Sequence, residues 1–159
     1  VDDIYVSNIA LEDLLFEIKN SFEEISEKKI ELHLNKKNKK TPIKRSPELT
    51  YGIRNFVGNA VKFSKKNVFI NLINDLDEIK IKITDDGPGF PEDIFKIIGE
   101  PYIASKSKKF KNKSGLGLGT FIGKTLLERK KAIIEFSNIE KGGASVEIIW
   151  KYSDLVVIK

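Results

Sequence analysis

The sequence predicts an α/β fold of the α+β kind. It is a two-layer sandwich in which a mixed, largely antiparallel sheet of about five strands carries about three helices on one face. Three observations predict it. Apolar residues recur at helical spacing in two long stretches, 8–28 and from Pro47 to about Ser64. Five runs read as strands, the clearest of them alternating apolar with polar residues at the two-residue period, and two pairs are joined by short turns. In the clearest of these, Ile79, Ile81 and Ile83 alternate with Lys80 and Lys82, so one sheet face is wet and helices belong on the other.

In chain order, Leu11, Leu14, Leu15, Ile18, Phe22 and Ile25 mark the first helix, 8–28. Ile30, Leu32 and Leu34 then alternate with Glu31, His33 and Asn35, a half-buried strand with His33, the single histidine, on its polar side as a surface residue. After a lysine-rich turn, 42–45 reads as a short extended piece. Ser46-Pro47-Glu48 supplies an N-cap with proline at the first helical position. Strands at 68–73 and 78–84 flank the turn Asn74-Asp75-Leu76-Asp77. A loop at Asp85-Asp86-Gly87-Pro88-Gly89-Phe90 leads to a short helix at 91–98. Residues 99–114 hold five lysines and no apolar period, which in a compact domain marks a functional lid. The glycine-rich turn 115–119 opens a helix ending near Lys131. Strands at 132–137 and 144–151 follow, joined through Gly142-Gly143, and 155–158 is a last short strand or a fraying tail.

Length and composition bound the function. The 159 residues form one domain, 1–159, with a core of about 8–151, large enough for a real hydrophobic interior. No apolar run approaches the length that spans a bilayer, and the absence of cysteine fits a reducing, cytoplasmic setting and excludes thiolate metal sites. With no methionine and a start at Val1, the chain reads as a piece of a longer protein. The net charge of +5 admits nucleic acid, but the basic runs at 36–40 and 106–113 lack the interleaved aromatics that stack on bases. They read as solvated loops or loops facing a polyphosphate, so neither nucleic acid nor a membrane is expected as a partner.

The helix after Ser46 has an unusual polar face. At about 100° per residue, Asn55, Asn59 and Lys62 share one stripe opposite Leu49, Ile53, Phe56, Val57 and Ala60. Asparagine is a middling helix former, and Gly52 and Gly58 each cost about 1 kcal/mol in a helix. Both glycines are expected to clear room beside the stripe. Two carboxamides, a cation and bare backbone suit a bound phosphate and its metal, although the stripe alone reads equally well as an exposed Asn-rich face.

The loops add chemistry. Ser114-Gly115-Leu116-Gly117-Leu118-Gly119 offers backbone N–H groups and a positive helix end to an anion. Gly123-Lys124-Thr125 ends like a Walker A loop, but Leu118 stands where its first glycine belongs. The dinucleotide pattern G-x-G-x-x-G also fails, with Thr120 or Ile122 at its last glycine. Asp85 sits at a strand end beside Gly87 and Gly89, where a buried carboxylate could accept from an exocyclic amine. Alone, that string serves equally well as a turn. The ordered set is more specific: N-x-x-x-N-A-x-K-F, D-x-G-x-G, a basic lid, then G-x-G-x-G opening a helix.

That set resembles the catalytic ATP-binding domain of sensor histidine kinases, in the gyrase, heat-shock chaperone, histidine kinase and MutL superfamily with the Bergerat fold, over about residues 11–150. The resemblance implies ATP and Mg²⁺ as ligands. Asn59 would be the metal ligand, with Asn55 and Lys62 near the phosphates, these three forming the catalytic set. Asp85 would bind the adenine amino group, with Gly87 and Gly89 under the base. Gly115, Leu116, Gly117, Leu118 and Gly119 would close on the phosphates at the base of the lid (99–114), whose Lys106 also faces the nucleotide. Thr120 replaces the leucine that ends the family pattern, and reads as a packing detail. A nearer likeness, to redox-responsive kinases of the RegB/PrrB type, rests on Gly99-Glu100-Pro101-Tyr102, Phe121 through Arg129, and Gly143 through Trp150.

By this resemblance the chain passes a γ-phosphoryl group to a histidine on a separate dimerisation domain, and a response regulator acts downstream. The acceptor pattern H-E-x-R/K-T-P is not in these 159 residues, where His33 precedes Leu34-Asn35-Lys36. Three alternatives stand beside it. Hydrolases of the superfamily carry a glutamate where Asn55 stands, and asparagine cannot take a proton at neutral pH. An anti-sigma-type serine kinase shares the fold, and a basic nucleic-acid-binding module would share only the charge.

Overall fold

The computed structural model describes residues 8–35, 40–75, 77–91 and 116–157. The predicted helix at 91–98, the lid at 99–114 with Lys106, and Gly115 lie outside the described residues, Pro91 apart.

The first layer is a five-stranded sheet. Its strands are β2 (Lys29–Leu34), β4 (Asn67–Asn74), β5 (Glu78–Asp85), β6 (Ile133–Asn138) and β7 (Ala144–Lys151). They lie in the order β2-β4-β5-β7-β6, with β2 and β4 parallel and every other pair antiparallel. This is the mixed, largely antiparallel sheet that the alternation predicts. Registers carry apolar rows across it: Leu32, Ile70, Ile83, Val146 and Phe136 stand in successive strands on the helix-facing side. On the other side Lys80 and Lys82 reach Glu147 at 3.5 and 3.8 Å, and the exposed His33 stacks on Phe69 at 6.5 Å.

The second layer is helical. The first helix, α1 (Leu11–Ile25), buries Leu11, Leu14, Leu15 and Ile18, and carries Glu12 and Asp13 at its positive end. It is shorter than the predicted 8–28. Residues Asn8–Ala10 instead form β1, paired antiparallel with β3 (Pro42–Lys44). Strands of three residues are too short to show a period. The backbone turns extended at Ser26, which leaves Ile25, expected on the apolar face, 78% exposed.

The central helix is α2 (Pro47–Phe63). Ser46 Oγ accepts from the Leu49 N–H at 3.1 Å, so the predicted N-cap forms. At the other end, the Lys28 ammonium donates to the Val61 carbonyl at 3.1 Å and to the carbonyl of Ser64. A cation there satisfies carbonyls that the helix leaves unpaired. The third helix, α3 (Leu116–Glu128), stops three residues before the predicted Lys131, which adopts a left-handed φ of 69°. A short helix, α4 (Tyr152–Leu155), takes the first residue of the predicted strand or tail at 155–158; Val156 then bridges to Ile43, and Ile158 lies outside the described residues.

The two glycines of α2 do not serve the Asn stripe as expected. A Cβ at Gly52 would lie 2.5 Å from Cγ of Leu127 in α3, and one at Gly58 would lie 3.3 Å from the Phe22 ring of α1. Each lets a neighbouring helix approach. Leu127 is fully buried and has nowhere to go, whereas Phe22 is only partly buried. Gly52→Ala should therefore destabilise the domain by about 1 kcal/mol, overpacking of about 1–3 kcal/mol outweighing a helix-propensity gain of about 1 kcal/mol. Gly58→Ala should stay within about 0.5 kcal/mol of the parent, since the same gain meets a softer contact. Urea unfolding of both variants checks this, and equal effects would contradict it.

Candidate functional site

A cleft lies where β5 ends against α2 and α3. Asn59 and Phe63 line it from α2, Asp85 from β5 and Thr120 from α3, and Gly89 and Phe90 close one side. Each arrives there for a local reason.

Asp85 continues the parity of Ile79, Ile81 and Ile83, so its side chain faces the helical layer and is 7% exposed. Its Oδ1 accepts from the Gly87 N–H at 2.8 Å and the Ala144 N–H at 3.4 Å. Burial pushes its pKa above the ordinary carboxylate value, against the lowering effect of those two bonds. The next residue faces the other way. Asp86 accepts from the N–H groups of Lys65 at 2.7 Å, Lys66 at 3.1 Å and Asn67 at 3.1 Å, and from the Asn67 amide. Partial burial raises its pKa, but these bonds prevail and hold it at about 2. Asp86 thus fastens the chain leaving α2 to the end of β5. Sequence reading missed this anchor, although the strand parity at Asp85 implies that its neighbour points outward.

The glycines of the loop divide their work. A Cβ at Gly87 would overlap the Phe63 carbonyl oxygen, so this glycine makes room for the protein's own backbone. Gly89 has φ +84° and lines the cleft. Beside it, Asn138 clamps Phe90, accepting its N–H at 2.7 Å and donating to its carbonyl at 2.8 Å. Phe90 meets Phe136 edge-on at 5.9 Å. Asn138 is a second site-shaping residue that no motif announces.

Of the predicted stripe, the structure brings only Asn59 to the cleft wall. Its Nδ2 donates to the Thr120 hydroxyl at 3.3 Å, and Thr120 is 1% exposed. Thr120, a packing detail in the sequence reading, is packed as expected and also bonds Asn59. Asn55 donates to the carbonyl of Tyr51 at 2.8 Å, one turn back. Lys62 is exposed, its ammonium 5.4 Å from the centroid of the Phe63 ring. Leu116, Gly117, Leu118 and Gly119 form the first turn of α3, and a Cβ at Gly119 would stand 3.7 Å from the amide oxygens of both Asn55 and Asn59. The glycine turn and the asparagines are thus neighbours. Among the described residues, no group of three His, Cys, Asp or Glu side chains could hold a metal alone.

A buried carboxylate beside an apolar cleft, faced by carboxamides and a helix opening in glycine, is the arrangement of a nucleotide-binding domain. The comparisons agree. The family model described as histidine kinase-, DNA gyrase B-, and HSP90-like ATPase matches residues 44–154, and the chain belongs to that family. The sensor histidine kinase RegB of Cereibacter sphaeroides is 38% identical over 133 residues, which cover 74% of this chain and 29% of that protein. The sensor protein kinase PilS of Pseudomonas aeruginosa is 30% identical over 112 residues, 66% of this chain and 20% of that protein. The chain thus spans less than a third of the length of these relatives. The mycobacterial sensor histidine kinase MprB superposes with a TM-score of 0.74 at 18% identity, over 91% of this chain and 97% of that one. Full-length ShkA in complex with AMPPNP gives 0.74 at 19% identity, over 96% and 31%. These two likenesses establish the fold.

The two aspartates should respond oppositely to substitution. Between the ordinary carboxylate value and the raised value of Asp85, the folded state holds more protons than the unfolded one, so stability falls as pH rises through that window. Asp85→Asn should raise the melting temperature of the nucleotide-free domain at neutral pH, and the gain should fade on acidification below that window. Asp86 contributes stability above its unfolded value of 3.8 that is lost as pH falls toward about 2. Asp86→Asn should destabilise by about 1–2 kcal/mol at neutral pH, charged hydrogen bonds being discounted for solvent access. Thermal unfolding at neutral and acid pH checks both, and a destabilised Asp85→Asn would contradict the account.

Proposed function

We propose that this domain binds ATP with Mg²⁺ in the cleft and donates the γ-phosphoryl group to a histidine on a separate dimerisation domain of a two-component sensor kinase. The observation carrying the reading is Asp85, a carboxylate buried against its own electrostatic interest at the wall of a largely apolar cleft. A base entering with its C6 edge toward Asp85 would place the adenine amine there to repay that burial with a charge-assisted hydrogen bond, whereas guanine would present its O6 acceptor, so this orientation favours adenine. Gly89, at the cleft wall, would lie beside the base.

The phosphates would run toward the glycine turn of α3 and the stripe of α2. Mg²⁺ accepts hard oxygen ligands and keeps few protein donors when phosphate oxygens are present. The carboxamide oxygen of Asn59 fits that part. Bound Mg²⁺ would supply charge neutralisation on the phosphates. The chain's own share is orientation and electrostatics: the backbone of Leu116 to Gly119 and the cation of Lys62 would offset phosphate charge. In the transfer, the bond from the γ-phosphorus to its bridging oxygen breaks, a bond to an imidazole nitrogen forms and ADP leaves. Asn55 cannot act as a general base, and its amide is engaged with Tyr51, which weighs against rapid hydrolysis.

The response regulator downstream and a cytoplasmic location belong to this proposal. Among the described residues no helix is long and apolar enough to cross a membrane. The likeness to RegB extends the reading to a redox response, and with no cysteine in the sequence the sensing thiol would lie outside these 159 residues.

Binding tests the site. ATP should bind in preference to GTP, and Asp85→Ala should weaken ATP binding about 10- to 100-fold, as expected for losing a charged hydrogen bond of about 1.5–3 kcal/mol. Asn59→Ala should weaken binding more with Mg²⁺ than in its absence. Equal affinity of the parent for GTP, or a loss independent of metal, would defeat these assignments.

Transfer tests the reaction. With γ-labelled ATP the isolated domain should leave no phosphohistidine on itself, because His33 sits on the outer sheet face in contact with Phe69. A separate dimerisation fragment bearing the acceptor histidine should gain acid-labile, base-stable label, slowly, since no linker raises its effective concentration. Label on His33 that vanishes in His33→Ala would overturn this, and label on serine would favour a serine kinase.

A further inference from the structure

The Asn59–Thr120 contact joins α2 to α3 across 61 residues of sequence, at the cleft wall, through a threonine that is 1% exposed. A carboxamide has two unlike ends. Its NH₂ is a pair of donors and its oxygen an acceptor, and the group is planar, so holding one end fixes where the other points. Toward a cation the two ends differ in sign: the oxygen can ligate, and the NH₂ repels. A terminal amide torsion is broad and roughly two-fold, so an unrestrained asparagine samples both orientations. In this structure the Thr120 hydroxyl accepts from Nδ2, so the nitrogen end of the amide, not the oxygen, is turned to Thr120.

We propose that Thr120 is a positioning residue for the metal site, holding the Asn59 amide so that its oxygen, rather than its nitrogen, meets a divalent cation bound with the nucleotide. The inference deepens the reading of Asn59 given above and rests on it. Thr120 need not touch nucleotide or metal; it acts through Asn59. The neighbouring residue supports the geometry, since Gly119 stands over the same two asparagine amides. The site thus receives from α3 both an open backbone and the hydroxyl that orients its ligand.

The test separates orientation from folding. Thr120→Val keeps the shape and removes the hydroxyl, and Thr120→Ser keeps the hydroxyl and removes a methyl. ATP affinity is measured by calorimetry with Mg²⁺ and with the metal chelated, alongside thermal unfolding of each apo variant. Thr120→Val should lower affinity for ATP about tenfold when Mg²⁺ is present, the equivalent of one hydrogen bond. Chelated ATP should bind it as it binds the parent, and its melting temperature should stay near the parent's. Thr120→Ser should restore most of the metal-dependent affinity. A Thr120→Val domain with the parent's full Mg²⁺ enhancement, an equal loss with and without metal, or a serine variant no better than valine would each overturn the proposal. A parent chain whose ATP affinity ignores Mg²⁺ would remove the reading of Asn59 itself, and this inference with it.

Discussion

The alternation of side chains along β5 is the constraint on which the site depends. Ile79, Ile81 and Ile83 anchor the strand in the core, and a two-residue period then leaves no choice for the residues that follow. Asp85 is carried inward to the cleft, where its ionised form is disfavoured. Asp86 is carried outward to a cluster of backbone N–H groups, where its charge is welcome. Two adjacent, chemically identical residues thereby become a disfavoured carboxylate at the cleft and a structural anchor. A slip of one residue in the pairing of β5 with β4 and β7 would exchange them and expose three isoleucines at once, so the core that fixes the register also protects the site.

The central helix is the other wall, and its position is set from both ends and both flanks. Ser46 caps its start, while Lys28 and Asp86 hold the turn through which it leaves. On one flank Arg54 donates to Ser21 at 2.7 Å and lies 4.9 Å from the Phe22 ring centroid, next to the close approach at Gly58. On the other, Leu127 fills the space over Gly52. Asn55 and Asn59 are presented by a helix that cannot roll without disturbing α1 or α3. Precise placement of a ligand group needs this kind of support from outside the site.

Much of this was legible in the chain itself. The helical spacing around Leu14 and Ile18, the N-cap at Ser46 and the alternation of β5 are local signals, written in residues a few positions apart, and so the layers, the sheet type and the parity of Asp85 could be read directly. The ordered motifs carried the resemblance to a nucleotide-binding family, and some of them encode a local backbone property, such as glycine at the φ of Gly89. What could not be read were the relations between distant segments. The partners of Gly52 and Gly58, the clamp of Asn138 on Phe90, the pairing of β1 with β3 and the bond from Asn59 to Thr120 join residues 32 to 75 positions apart.

The sequence by itself determined the local conformations and which faces are apolar, since side-chain period and capping act within a turn or two of chain. Only the tertiary structure decided what the polar and glycine positions are for. A glycine tells the reader that something comes close, not whether it is a ligand, a leucine or the backbone carbonyl of Phe63. A threonine within a glycine-rich motif likewise says nothing of its partner until two helices are packed together. The physical reason is that hydrogen bonds and van der Waals contacts are selected by distance in space, and that distance is settled by the packing of the whole core rather than by the neighbours in the chain.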